Sequence, residues 1–266
     1  MSFAYQKVLL ARDAKRPYTQ DIIEAVFSDF VGLSGDRRYA DDQAIIAGFA
    51  KIENMQVAVI GHQKGRDTNE RRFRNFGMPK PEGYRKALRI MELAEKFNRP
   101  LVTFIDTPGA YPGIDAEERG QAEAIAFNLH KMSALRTPVV SIVLGEGGSG
   151  GALALGVCDK LLMFENAIYS VISPEGCAAI LWKDNNFAQT ASECLKLTAT
   201  DLHELGIVDE ILEEGAAGLS VEDQDSLMQL KARLVTNLTE LGQMTPQNRV
   251  AHRYLKLRNI GIWLNS

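Results

Sequence analysis

Ser149 sits among four glycines in Gly147-Gly148-Ser149-Gly150-Gly151, and the apolar run VVSIVL leads into them. A serine at a strand-to-helix turn matches G-x-S-x-G, the nucleophile elbow. Such a nucleophile needs an imidazole and usually a carboxylate nearby. The histidines are His62, His130, His203 and His252. His62, following a predicted strand, is placed to reach. The same glycines admit another chemistry, with no nucleophile. Glycine accepts positive φ and lets a ligand approach bare backbone. The N–H groups of a first helical turn have no internal partner, and the helix dipole stands behind them. Such donors hold an anion or a developing oxyanion. Close helix–strand packing explains one or two glycines, but not five at 145, 147, 148, 150 and 151 around a serine.

Two further loops each follow a predicted strand. Residues 61–79 carry Lys64, Arg66, Arg71, Arg72 and Arg74 against Asp67 and Glu70. A charge run of this kind is either a solvated loop or a cover for a polyanionic or polar ligand. Residues 106–113, DTPGAYPG, form a glycine-proline turn. Asp106 at its start could bind a metal, but no clustered partner is visible, and a turn cap is the simpler role. Gly-Lys-Ser/Thr is absent, so there is no P-loop. A dinucleotide fingerprint in a good βαβ setting is also absent.

The positioning elements follow from periodicity. Helical spacing covers residues 19–30, 81–97 and 116–135, with inward positions Tyr84, Ala87, Leu88, Met91, Ala94 and Phe97 on the second and Ala122, Ile125, Ala126, Leu129 and Met132 on the third. Strands are expected at 44–50, 55–60, 100–105, from 138, at 160–164, 168–171 and 208–212. Ser173-Pro174 opens one helix, residues 220–223 cap a long one running to 241, and Thr245-Pro246 starts the last, toward Arg258. This alternation predicts an α/β core with right-handed crossovers. If the strands are parallel, the three special loops share one edge, where α/β folds bind ligands.

At 266 residues the chain can bury one large core. A net charge of −4 argues against a general nucleic-acid binder. No apolar run suits a membrane span, and the N-terminus lacks a signal-peptide pattern. The 3 cysteines (Cys158, Cys177 and Cys194) show no CxxC, which excludes a zinc ribbon or disulfide framework and fits a reducing cytosol.

The segments GHQKGRDT, RNFGMPKPEGYRKA, TFIDTPGAYPG, AEERGQAEAIA, GEGGSGGALALGV and YSVISPEGCAAILWKD together resemble the carboxyltransferase α subunits of multi-subunit (bacterial or plastid type) acetyl-coenzyme A carboxylases. The likeness runs from Val8 to Ile211. It implies a crotonase-like fold of stacked ββα units with C-terminal helices. The whole chain would be a single carboxyltransferase domain: an N-terminal segment 1–43, a core 44–212 and a helical segment 213–266. It implies transfer of a carboxyl group from carboxybiotin, carried on the biotin carboxyl carrier protein, to acetyl-CoA, giving malonyl-CoA for fatty acid biosynthesis. It also implies a zinc-ribbon β subunit as partner, biotin carboxylase as a further component, an α₂β₂ assembly and a cytoplasmic location, with no metal in this chain. By the same resemblance Gly150 and Gly151 form the oxyanion hole, holding the ureido oxygen of biotin. Gly109, Ala110 and Tyr111 form the neighbouring wall. Gly147, Gly148, Ser149, Lys64 and Arg66 are the remaining candidates for carboxybiotin or substrate contact.

The chain departs from the resemblance in places. Many members read HGDR where it has Ser34-Gly35-Asp36-Arg37. Residues 213–220, EEGAAGLS, replace a proline- and glycine-rich segment, and the long N-terminal helical extension of some members is missing. The competing expectations are a single-chain crotonase-like acyl-CoA enzyme or a serine hydrolase using Ser149, and a scaffold that keeps the fold without turnover.

Overall fold

A computed structural model describes residues 2–215 and 218–261. In chain order the helices are α1 (Phe3–Ala11), α2 (Thr19–Val26), α3 (Thr68–Phe73), α4 (Pro81–Lys96), α5 (Ile114–Glu118), α6 (Gln121–Ala134), α7 (Ser149–Leu153), α8 (Pro174–Leu181), α9 (Ala188–Cys194), α10 (Ala199–Glu204), α11 (Gln224–Gln243) and α12 (Pro246–Arg258). The strands are β1 (Ser28–Gly32), β2 (Ile45–Ile52), β3 (Met55–His62), β4 (Leu101–Thr107), β5 (Val139–Gly148), β6 (Lys160–Phe164), β7 (Ile168–Ser170) and β8 (Glu210–Leu212).

The strands form one sheet in the order β1-β2-β3-β4-β5-β6-β8, with β7 pairing the far end of β5. β1, β2 and β3 are antiparallel, and β2 turns into β3 where Glu53 takes φ 51°. From β3 onward every named pair is parallel. β4 is buried along its whole length, and β5 up to Gly147, as expected of parallel strands covered on both faces. One apolar core runs from Ile22 on α2 to Leu241 on α11. The strand exits at His62, Thr107 and Gly148 share one edge, as the sequence pattern predicts.

Several boundaries differ from expectation. The helix expected over 19–30 ends at Val26, because residues 28–32 pair with the edge of β2. The helix expected over 116–135 is two. Gly120, at φ 82°, breaks it, and α6 restarts with a new phase. Its buried line is therefore Gln121, Ala124, Asn128 and Met132, while Ala122 and Ala126 are exposed. On α4 Ile90 is buried, whereas Leu88 is only partly covered and Phe97 lies in solvent. Within 61–79, unperiodic in sequence, Asp67 caps the two-turn helix α3 by accepting from Asn69 and Glu70 N–H. The long helix α11 is capped by Asp223 itself. Of the unusual segment 213–220, residues 216 and 217 lie outside the described residues, as do 262–266. Among the described residues no helix is long and apolar enough to cross a membrane.

Candidate active site

The expected loop between strand and helix is almost absent. β5 continues through Gly148, and α7 begins at Ser149, which turns the chain at φ 54°. The only positive φ between 145 and 151 thus belongs to the serine, and four of the five glycines answer to close approach instead. A Cβ on Gly148 would stand 2.2 Å from Pro108 O, and one on Gly151 2.6 Å from Ala110 N. A Cβ on Gly147 would meet the Tyr169 ring at 2.3 Å, and one on Gly145 the Asp106 carboxylate at 2.7 Å. Gly150 is different: the nearest atoms to its Cβ position belong to Ile125, at 3.9 Å. Gly109 across the turn has nothing within 4 Å.

Within the run Gly147, Gly148, Ser149, Gly150 and Gly151, the structure thus brings Gly151 against Gly109 and Ala110 and Gly148 against Pro108. The wall is anchored. Thr107 Oγ1 accepts from Gly109 N–H at 3.1 Å, and Tyr111 N–H donates to Pro79 O at 3.0 Å. Gln121 Nε2 donates to both Pro79 O and Tyr111 O, at 2.9 and 3.0 Å, which is why this polar residue lies on the buried face of α6. Lys80 Nζ stands over the Tyr111 ring, 4.6 Å from its centre.

Lys64 and Arg66 part company. Lys64 turns inward, its Nζ 2.6 Å from Asp106 and 3.2 Å from Glu146. Arg66 docks on α2, 2.8 Å from Asp21 and over the Tyr18 ring. Glu146 also pairs with Arg12 at 2.6 Å, and Arg12 reaches Glu175 at 2.7 Å. Burial opposes these charges, but the two carboxylates still hold Lys64 above its ordinary pKa. Lys64 and Arg12 likewise hold Glu146 below its own against the same burial. Asp106 is thus an ion-pair partner, beyond a turn cap. Arg12, Arg16 and Glu146 were missed by sequence reasoning. The lone carboxylate of Glu146 in VVSIVLGEGG was the available signal. Among the described residues no group of three or more His, Cys, Asp or Glu could hold a metal ion.

The serine-nucleophile expectation finds no imidazole hydrogen-bonded to the serine among the described residues. His62 is fully buried, and its Nδ1 accepts from Asp106 N–H at 3.3 Å. Burial, and then the charge of Lys64, lowers its pKa to about 3, so the ring stays neutral. His203 Nδ1 faces Val208 O, while His130 and His252 are exposed. Among the described residues no imidazole is hydrogen-bonded to Ser149. What remains is an open-faced stretch of backbone at a strand exit, with N–H groups of a first helical turn at Gly150 and Gly151.

A family model described as acetyl co-enzyme A carboxylase carboxyltransferase-like matches residues 3–261. The acetyl-coenzyme A carboxylase carboxyl transferase subunit alpha of Marinomonas sp. (strain MWYL1) is 55% identical over 259 residues, covering 97% of this chain and 82% of that protein. The protein of the same name from Geobacter metallireducens is 55% identical over 256 residues, covering 96% and 80%. Among solved structures, transcarboxylase 12S aligns with a TM-score of 0.68 at 20% identity, over 87% of this chain and 44% of that one. A Pseudomonas malonate decarboxylase hetero-tetramer aligns with a TM-score of 0.65 at 17% identity, over 83% and 90%. At such identities these two show a shared fold alone, of the crotonase-like type.

Proposed function

The chain belongs to the acetyl-coenzyme A carboxylase carboxyltransferase family, and from that premise we infer that it is the α subunit of the enzyme that carboxylates acetyl-CoA to malonyl-CoA for fatty acid synthesis. It works as one component of a multi-subunit enzyme. We assign the partner to be a zinc-bearing β subunit completing the site in an α₂β₂ assembly. Carboxybiotin would arrive on a separate carrier protein, charged by a biotin carboxylase. The cytoplasm is the proposed setting, and three free cysteines suit its reducing conditions.

The cradle in which Gly150 and Gly109 leave the space of a Cβ empty carries the assignment of the site. Uncharged backbone of this kind fits a flat, neutral urea ring. A side chain at either position would occupy that space. Gly150 and Gly151 would donate N–H groups to the ureido oxygen, and Gly109, Ala110 and Tyr111 would orient the ring. Ser149, Gly147 and Gly148 shape the floor. Lys64 supports the turn from behind, and Arg66 lies at the periphery on α2.

When bound, carboxybiotin supplies the carboxyl group and a basic ring nitrogen. The protein then needs fixed donors more than an acid or base of its own. That matches a neutral, buried His62 and a Ser149 with no imidazole partner. Gly150 and Gly151 stabilise negative charge as it develops on the oxygen they hold. Pinning of the wall by Thr107 and Gln121 spares reorganisation during reaction.

The test is carboxyl transfer from malonyl-CoA to free biotin, the reverse reaction. It is run with this chain alone, with a matching β subunit, and with both after Gly150→Val. Activity confined to the mixture and lost in the variant supports the assignment. Activity from this chain alone overturns the shared site. A stable complex inactive in every combination would make the chain a scaffold.

A further inference from the structure

We propose that Asp106 and Arg16 are positioning residues that hold open a bulge in β5 and thereby aim the glycine turn. The proposal deepens the reading of Gly150 and Gly151 as donors and rests on it.

β4 and β5 pair in register from Leu101 with Val139 to Ile105 with Val143, and then Thr107 pairs with Gly147. One residue of β4, Asp106, therefore stands opposite three of β5: Leu144, Gly145 and Glu146. The two extra residues bend the strand and increase its twist. Without them Thr107 would face Gly145, and the turn would fall about 6–7 Å out of place, at about 3.3 Å per residue.

A bulge orphans backbone groups, and buried orphans are costly. Here side chains answer them. Arg16 donates from Nε and Nη2 to Leu144 O at 3.1 and 2.5 Å. Asp106 Oδ1 accepts from Glu146 N–H at 2.9 Å. Gly145 admits the Asp106 carboxylate on one side and Ala11 O, 2.8 Å from its Cβ position. Both plugs are themselves held. Glu214 takes the Arg16 guanidinium with both oxygens at 2.8 Å, and Lys64 holds Asp106 at 2.6 Å. Arg16 is 3% exposed and Asp106 2%. Buried this deeply, both act on the turn through the backbone of β5.

The test uses the complex with the β subunit. Asp106→Ala removes the acceptor, and Asp106→Asn keeps an oxygen for Glu146 N–H while deleting the charge. Expected is a fall in kcat of about a hundredfold for Ala with both KM values unchanged, as an ångström-scale misplacement produces. Asn should stay within about tenfold of the parent, because the bond that sets the bulge survives. Amide hydrogen exchange should show Glu146 deprotected in Ala and protected in Asn. An unchanged kcat in Ala, or equal losses in Ala and Asn, overturns the proposal. Should Asp106→Ala not fold, Arg16→Gln carries the test from the other plug: lower kcat with unchanged KM supports it, and unchanged kcat overturns it. If the parent complex itself fails to transfer carboxyl groups, the functional reading falls first, and with it this role.

Discussion

The two ends of the central strands each carry a buried arginine and a buried aspartate, and the two pairs do opposite things. At the starting end, Arg253 and Asp159 are wholly inaccessible and meet at 2.7 Å. Arg253 also donates to Met132 O and Leu135 O at the end of α6 and to Thr137 O beyond it, while Asp159 accepts from Val139 N–H. The guanidinium and the carboxylate there fasten α12, α6 and β5 into one unit. At the exit end, Arg16 and Asp106 do not touch each other. Each takes one stray backbone group of a bulge, and the strand they steer ends in a turn whose Gly150 face is left bare. The first pair fixes the fold. The second spends regular strand pairing to place a short run of backbone.

Arg253→Met should do the most damage, since it strands Asp159 without a counter-charge. A loss of about 3–5 kcal/mol in urea unfolding is expected. A loss under about 1 kcal/mol would show the starting end to be dispensable. Gly150→Val should do the reverse. The space around its Cβ position predicts near-parental stability, while carboxyl transfer falls by about 10²–10³-fold if a donor is blocked. Equal destabilisation by both variants would erase the contrast between the ends.

His62 sharpens it by pH. Its folded pKa of about 3 lies below the usual 6.5, so the folded state binds fewer protons in that window. Stability is then complete above pH 6.5 and is lost as pH falls toward 3. At pH 5 the cost is about 2 kcal/mol relative to neutral pH. Urea unfolding of His62→Asn should be less sensitive to pH by that amount, and an unchanged slope would refute it. Ser149→Ala should be the mildest, with less than about fivefold change in transfer rate, because no base activates the hydroxyl. A loss of a thousandfold would restore the nucleophile.

The fold was legible wherever local chemistry decided it. Pro81, Ser173-Pro174 and Thr245-Pro246 marked helix starts, and the apolar runs of β4 and β5 marked buried parallel strands. The motif at 147–151 marked the strand-to-helix turn to which the proposed site is assigned. Its working parts were less visible. Nothing local marks Leu144–Glu146 as a bulge, because its plugs come from residues 16 and 106. The inward face of α6 was misread because Gly120 resets the helical phase, and because Gln121 is buried for the sake of two carbonyls on distant loops. Lys64, read within a solvated or ligand-facing run, is drawn inward by Asp106 and Glu146, 42 and 82 residues away.

The docking of Arg16 also sets a schedule. Its partners are Leu144 and Glu214, 128 and 198 residues further along the chain. Arg16 leaves the ribosome before either partner, yet its seat is complete only after β8 has been made. At about 5–20 residues per second Arg16 waits roughly 10–40 s for that seat. Contacts of such long sequence separation form late in folding. The aim of the turn is thus among the last features a newborn chain acquires, and a nascent chain cut short before Glu214 would hold its core strands without a finished site.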